Sequence, residues 1–183
     1  MDRTGKSTLA KPEMLRQFPS VRGFYFHETR YSNQAKELFQ DPVTSVSVSK
    51  ALAISEILEV VAYMEDYGNN KVIMPRSFLS SMVYMDMRGD FTEALSLQVQ
   101  CDYILEKYNI VHVPVFLSVS KIGMMYRGAK ENSFEVKNYD AVKASMDKVA
   151  PKNTLTYDTG AWMMEDLRDE LVRTIYRHDR KDQ

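Results

Sequence analysis

The chain has few of the residues on which disulfide scaffolds and zinc sites depend. Among its 183 residues there is one cysteine, Cys101, and there are three histidines. A single cysteine excludes an internal disulfide, and the scattered positions of His27, His112 and His178 do not match the spacing of a zinc site. Because Cys101 falls within an apolar helical pattern, we expect a buried, small hydrophobic side chain there rather than a reactive thiol.

Neither sign of charge is in excess, and no long apolar run is present. Lysine and arginine total 24, aspartate and glutamate total 25, and the net charge is −1. No overall field therefore attracts a nucleic acid polymer or a membrane surface. No apolar stretch is long enough to cross a bilayer, and the N-terminus does not read as a signal peptide. We expect a cytoplasmic protein that binds neither nucleic acid polymers nor membranes.

Short β-branched or aromatic stretches alternate with helical patterns, without a repeat or a low-complexity linker. This alternation predicts one α/β domain over residues 1–183, with a parallel sheet and helices on both of its faces. The predicted strands cover residues 24–27, 72–74, 113–119 and 154–157, and the predicted helices cover 6–18, 32–39, 46–67, 77–87, 92–108, 134–149 and 161–177. Pro12 interrupts the first helix. In the longest helix an apolar stripe includes Ile57, Leu58 and Val61, and Glu56 and Glu59 lie off it.

Residues 4–7 read Thr-Gly-Lys-Ser, which matches the end of the phosphate-loop pattern G-x-x-x-x-G-K-[ST]. A phosphate cradle needs inward-facing backbone N–H groups, a lysine on the terminal phosphates and a hydroxyl on magnesium, with a helix behind them. Gly5, Lys6 and Ser7 suit these roles in order, and a helical pattern follows. The alternative is an ordinary helix cap in which Gly-Lys-Ser occurs by chance.

The stretch Asp2-Arg3-Thr4-Gly5-Lys6-Ser7-Thr8-Leu9 resembles the phosphate loop of thymidylate kinases, and the order of later elements is similar to that family over nearly the whole chain. The resemblance implies a three-layer P-loop kinase fold that uses ATP and Mg²⁺. In that family the aspartate contacts the sugar of the nucleoside monophosphate and the arginine contacts the transferred phosphate. By resemblance, Asp2 binds substrate, while Arg3 and Lys6 are catalytic. The residues implied in ATP binding are Thr4, Gly5, Lys6, Ser7 and Thr8, and Ser7 is the implied magnesium ligand.

A second match follows the predicted strand 72–74. Arg76 and Ser77, with Ser80, resemble the segment in which nucleoside and nucleotide kinases carry Asp or Glu, then Arg and Ser. At the carboxyl end of a parallel strand, Arg76 would hold a phosphate as a bidentate fork, with Ser80 on the same substrate. The alternative for Arg76 is a surface position at a helix start. Pro75 replaces a carboxylate that helps to organise magnesium in the family.

Residues 121–133 resemble the short basic lid of these kinases. The segment is polar and contains Arg127-Gly128-Ala129-Lys130. An arginine that closes over the transferring phosphoryl group stabilises the charge spread over its oxygens. Arg127 is therefore a third catalytic candidate, ahead of Lys121 and Lys130. The alternative is a charged loop that only contacts solvent.

The sequence leaves several alternatives for the acceptor, the molecule that would receive the phosphoryl group. After the strand 24–27, Glu28 could activate a nucleoside hydroxyl as a base, or Arg30 could clamp a monophosphate. A salt-bridged turn is the structural alternative for this pair. The family's base-stacking phenylalanine and the arginine after it are absent from residues 51–56, so its thymine pocket does not carry over. The Asp2-Arg3 pair favours a monophosphate.

These interpretations predict a thymidylate kinase-like enzyme that transfers a phosphoryl group from ATP to a deoxynucleoside monophosphate. A deoxynucleoside kinase is one alternative, and a non-catalytic nucleotide-binding protein on a kinase scaffold, favoured by Pro75, is another. By resemblance alone, a homodimer is implied. Because the first glycine of the loop and the strand before it would precede Met1, we expect natural residues upstream of Met1. Without that central strand, the strands at Val72 and Val113 would each lack a ladder partner.

Overall fold

The computed structural model describes residues 4, 6–9, 24–26, 35–41, 43–67 and 71–179, and over these ranges the protein is mixed α/β and mostly helical. The strands are β1 (Phe24–Phe26), β2 (Lys71–Ile73), β3 (Val115–Ser118) and β4 (Leu155–Asp158). The helices are α1 (Lys6–Leu9), α2 (Ala35–Gln40), α3 (Ser45–Tyr67), α4 (Phe78–Met87), α5 (Phe91–Lys107), α6 (Lys121–Tyr126), α7 (Phe134–Lys137), α8 (Tyr139–Val149) and α9 (Met164–Asp179). Residues 10–18 of the predicted first helix lie outside the described residues.

The four strands form two parallel pairs. Phe24 of β1 lies opposite Lys71 of β2, and Val115 of β3 lies opposite Leu155 of β4. Parallel neighbours need a long crossover, and the chain supplies helices α2 and α3 in the first pair and α6 to α8 in the second. The predicted α/β class with parallel strands is confirmed. The predicted single sheet is not found in the described ranges, because no ladder there joins β2 to β3.

The largest apolar core lies among α3, α4, α5 and α8. Its buried side chains include Ile57, Phe78, Met82, Leu97, Cys101 and Val142. Met74, directly after β2, and Phe116 of β3 pack against the same cluster. Burial of each large apolar side chain contributes about 1.5–3 kcal/mol. Cys101 is fully buried, as predicted, and burial raises the pKa of its thiol to about 12.

Helix α3 follows its predicted stripe only in part. Ile57 and Val61 are buried, but Leu58 is 45% exposed. Glu56, which was predicted to lie off the buried face, is only 8% exposed, whereas Glu59 is exposed as predicted. The reason is tertiary, because α2, α4 and α5 all pack against α3 and cover more of its circumference than one stripe.

Capping side chains set several helix boundaries. Ser77 Oγ accepts a hydrogen bond from Leu79 N at the start of α4, which satisfies a backbone donor in the first turn. Gly89 separates α4 from α5, as predicted, with a φ of 90° that favours glycine. Before α3, Asp41 accepts hydrogen bonds from Val43 N and from the Thr44 hydroxyl, each at 2.9 Å. These bonds lower the pKa of Asp41, with the Val43 N–H as the larger cause.

The predicted helix 134–149 is two helices, α7 and α8, which meet at Asn138. The Asn138 side-chain amide donates a 2.9 Å hydrogen bond to the carbonyl of Phe134. Asparagine side chains compete in this way with the helical backbone ladder. The last helix also differs from the prediction. Asp158 Oδ1 accepts a bond from Gly160 N in a turn, and α9 begins only at Met164.

The predicted lid, 121–133, begins as a helix rather than a loop. Ser120 Oγ accepts a hydrogen bond from Gly123 N at 3.1 Å and caps α6. Met124 is fully buried against Val119 and Val136. Gly123 permits this close approach, since a Cβ there would lie 2.6 Å from Val119 Cγ2. The first half of the segment is therefore anchored beside the end of β3.

Candidate functional site

A cavity of about 260 Å³ opens between α3 and α4, with the end of α2 at its side. We call it the α3–α4 cavity. Its wall combines aromatic rings, hydroxyls and charges of both signs, from Phe39, Ser49, Glu56, Arg76, Ser77, Ser80, Ser81, Tyr84 and Arg88. Arg76 and Ser80, the two residues predicted to bind substrate after β2, thus lie in one wall.

Helical spacing explains why these side chains face one space. On α4 and its cap, Ser77, Ser81, Tyr84 and Arg88 follow one another at intervals of four, three and four residues, which is one helix face. On α3, Ser49 and Glu56 are seven residues apart, which is two turns on one face. Arg76 joins them because the chain turns directly from β2 into α4.

The hydroxyls of the cavity wall differ in their hydrogen bonding. Ser49 donates to the carbonyl of Ser45 at 2.7 Å, and Ser77 accepts from the α4 backbone. For Ser80 and Ser81, no side-chain hydrogen bond is found within the described part of the chain. A polar ligand in the cavity can therefore bond to Ser80 and Ser81 without breaking a helix cap.

A second cavity, of about 240 Å³, lies beside the predicted lid. It is lined by Met124, Gly128, Ala129, Lys130, Asn132, Ser133 and Glu135. The Tyr84 hydroxyl donates to Glu135 Oε1 at 3.2 Å, and the rings of Tyr84 and Phe134 are 6.0 Å apart. Because Tyr84 lines the first cavity and Glu135 the second, the two cavities share this pair as a boundary. Lys130 lies in the second cavity and not in the first.

Arg127, the predicted catalytic residue of the lid, lines neither cavity. Its Nη1 donates to Thr159 Oγ1 at 2.8 Å and its Nη2 donates to the Thr159 carbonyl at 2.6 Å. Thr159 is buried and in turn donates its hydroxyl to the carbonyl of Ser118. Arg127 therefore joins the end of α6 to the carboxyl ends of β3 and β4.

Only part of the predicted phosphate loop is described. Thr4 is 1% exposed, and Lys6 Nζ donates to Thr4 Oγ1 at 3.3 Å. Leu9 packs with Leu117 of β3 and Leu167 of α9, which seats α1 against the second strand pair. Thr8 is exposed. The remaining predicted residues, whose side chains lie outside the described part, are Asp2, Arg3, Gly5, Ser7, Glu28 and Arg30.

No family model, curated protein or solved structure matches the chain. Among the described residues, no group of three or more His, Cys, Asp or Glu side chains could hold a metal ion. Within the same ranges, none of the helices is both long and apolar enough to cross a membrane, and this includes α3 with its 23 residues.

Sequence reasoning missed Phe39, Glu56, Tyr84 and Arg88 as cavity residues. One signal was present for Tyr84 and Arg88, since they continue the helix face that Ser77 begins. Nothing in the local pattern distinguishes Glu56 from Glu59, its neighbour on α3. Only the packing of α2 and α4 against α3 places Glu56 in a cavity wall, whereas Glu59 is exposed.

Proposed function

We propose that the protein is a nucleotide kinase that transfers a phosphoryl group from ATP to a deoxynucleoside monophosphate held in the α3–α4 cavity. The observation that carries the proposal is the meeting of Arg76 and Ser80 in one cavity wall, with aromatic rings and a buried carboxylate beside them. The alternative for Arg76 is a surface position, but Arg76 is half-buried, whereas Arg88 in the same wall is exposed.

The chemistry of the wall suits each part of such an acceptor. Arg76 is half-buried at the carboxyl end of β2 and suits a phosphate, which a guanidinium binds through two parallel hydrogen bonds. Phe39 and Tyr84 suit the flat face of a base. The hydroxyls of Ser80 and Ser81 suit a sugar.

The proposed donor site is the loop at residues 4–8, with Lys6 on the terminal phosphates of ATP. Half-buried Lys6 and buried Thr4 keep an amine and a hydroxyl together in this loop, which is compatible with a phosphate ligand. Mg²⁺ in such sites is held chiefly by phosphate oxygens and water, with few protein ligands. Ser7 remains the proposed protein ligand, and bound Mg²⁺ would neutralise the charge of the phosphates.

In the proposed reaction, an oxygen of the acceptor phosphate attacks the γ-phosphorus of ATP. The bond from that phosphorus to the β–γ bridging oxygen breaks, and ADP leaves with the electron pair. The protein supplies position and positive charge, through Lys6 and Arg3 at the donor and Arg76 at the acceptor. Two of the five N–H donors of Arg127 bond to Thr159, so Arg127 would act on the moving group through its other donors or by breaking these bonds.

A deoxynucleoside kinase is a second candidate. It is favoured by the buried carboxylate of Glu56 in the cavity, because a hydroxyl acceptor benefits from a base. Glu28, which the sequence suggested for this role, lies outside the described residues.

A coupled assay of ADP release, with ATP, Mg²⁺ and a panel of nucleosides and their monophosphates, tests the proposal. We expect release that depends on a monophosphate, and a loss of roughly a hundredfold or more in Lys6→Ala. The exposed Lys137→Ala serves as the matched control and should keep full activity. A wild-type protein that melts cooperatively but releases no ADP with any acceptor contradicts the proposal. ATP binding without turnover would instead support the non-catalytic alternative.

A further inference from the structure

Glu56 is an unusual residue for the middle of a packed helix. It lies on α3 between Ala53 and Val60, both buried, and only 8% of its own surface is exposed. Carboxylates are rarely buried to this degree because they lose hydration, and those that are buried have polar partners or a ligand. An ionised carboxylate has about four acceptor sites, so a protein partner leaves room for a ligand as well.

The cavity around Glu56 restricts which ligand can bind. When ionised, its carboxylate only accepts hydrogen bonds, so the ligand that suits ionised Glu56 carries N–H or O–H donors on the part that faces it. Phe39 and Tyr84 contribute aromatic rings to the cavity wall, which suits a planar ring, and Arg76 contributes a cation, which suits a phosphate. A phosphorylated molecule with a planar, donor-bearing ring fits all three groups.

Bases differ in the edge that they present to a carboxylate. Guanine places two adjacent donors, N1–H and the exocyclic N2 amino group, opposite two carboxylate oxygens. Cytosine and adenine present one amino group beside a ring nitrogen that accepts. Thymine and uracil present one N–H flanked by two carbonyl oxygens. These two oxygens are repelled by the oxygens of a carboxylate.

We propose that Glu56 reads the base of the acceptor and selects a nucleotide with an exocyclic amino group, guanine before cytosine and adenine. The inference rests on the proposed function in that it takes the α3–α4 cavity as the acceptor site. It departs from a thymidylate substrate and names the class of base that the cavity accepts.

Calorimetric titration of the nucleoside monophosphates into the full chain is the test. Deoxyguanosine monophosphate should bind about tenfold or more tightly than thymidine monophosphate, since a hydrogen bond to a charged group is worth about 1.5–3 kcal/mol. Deoxyinosine monophosphate keeps N1–H but lacks the amino group, and should also bind more weakly than deoxyguanosine monophosphate. Glu56→Gln should remove most of both preferences. Glu65→Gln, an exposed change on the same helix, should leave them unchanged.

The ligand series decides the question even if Glu56→Gln does not fold, because deoxyinosine and deoxyguanosine monophosphates are compared on the unmodified protein. Equal binding of the two, or tightest binding of thymidine monophosphate, overturns the assignment. A Glu56→Gln protein that loses turnover on nucleosides while its base preference is unchanged also overturns the assignment, because Glu56 would then act as a catalytic general base.

Binding that follows the expected order without ADP release supports the inference and contradicts the kinase proposal. ADP release whose base preference does not depend on Glu56 supports the kinase proposal and contradicts the inference about Glu56. Failure of every monophosphate to bind overturns both the kinase proposal and the inference.

Discussion

The Tyr84 hydroxyl donates a 3.2 Å hydrogen bond to Glu135 Oε1 across the boundary between the two cavities. Tyr84 belongs to α4, which lines the first cavity, and Glu135 belongs to α7, which directly follows the predicted lid. Through this pair, the lid segment is tied to the proposed acceptor site.

Tyr84→Phe removes the hydrogen bond to Glu135 and keeps the ring contact with Phe134. We expect the free energy of unfolding to fall by about 0.5–1.5 kcal/mol, the usual net value of such a bond. Urea denaturation measures it. Tyr103→Phe, at an exposed position on α5, is the matched control and should have no effect. Equal midpoints for Tyr84→Phe and the wild type would show that the bond contributes nothing to stability.

Arg127→Ala should destabilise the protein whether or not Arg127 acts in catalysis. The guanidinium donates twice to Thr159, and charged hydrogen bonds of this kind are worth about 1.5–3 kcal/mol. Thr159→Val should remove part of the same energy, so the double variant should lose less than the sum of the single losses. Chemical denaturation of the four proteins gives the coupling. Strict additivity would contradict a direct interaction.

Arg76→Ala should raise the KM for the monophosphate and lower kcat, because the acceptor phosphate loses the cation that offsets its repulsion from the donor. A tenfold or larger loss in kcat/KM is expected for a charged hydrogen bond. Arg173→Ala, an exposed change on α9, is the control. If Arg76→Ala retains normal kinetics while Glu56→Gln abolishes transfer to nucleosides, the deoxynucleoside kinase becomes the better candidate.

His112 should make the protein less stable as the pH falls. Burial lowers the pKa of His112 to about 4, whereas an unfolded histidine titrates near 6.5. Between these values the unfolded chain takes up a proton that the folded protein does not, so stability present above pH 6.5 is lost on the way to pH 4. The loss from this group is on the order of 2–3 kcal/mol.

The variant His112→Phe keeps a ring against Phe78, whose centroid is 5.2 Å from that of His112. Unfolding free energies at pH 7 and pH 4.5, from urea titrations, should therefore differ less in the variant than in the wild type. Carboxylates such as Asp41 titrate in both proteins and cancel in this comparison. A pH dependence that is the same in both proteins would contradict the assignment to His112.

Much of the element order could be predicted because local patterns carry it. The apolar period of α5, the β-branched run around β3 and Gly89 between two helices each act within a few residues. The boundaries that were missed depend on single side chains. Asn138 interrupts a helical pattern by bonding to Phe134, and Ser120 starts α6 inside a segment that reads as a polar loop.

The sequence by itself identified Arg76 and Ser80 as substrate candidates through their resemblance to a kinase motif, and the place of Arg76 after a parallel strand supported that interpretation. It did not indicate that Glu56 is buried, that Tyr84 reaches Glu135, or that Arg127 is bonded to Thr159. The bonds of Tyr84 and Arg127 join residues that are 51 and 32 positions apart in the chain. The burial of Glu56 depends on the helices that cover α3 from several sides. Periodicity reports which face of a helix is apolar, but the neighbours that cover a face are chosen by packing, and packing is a property of the folded chain alone.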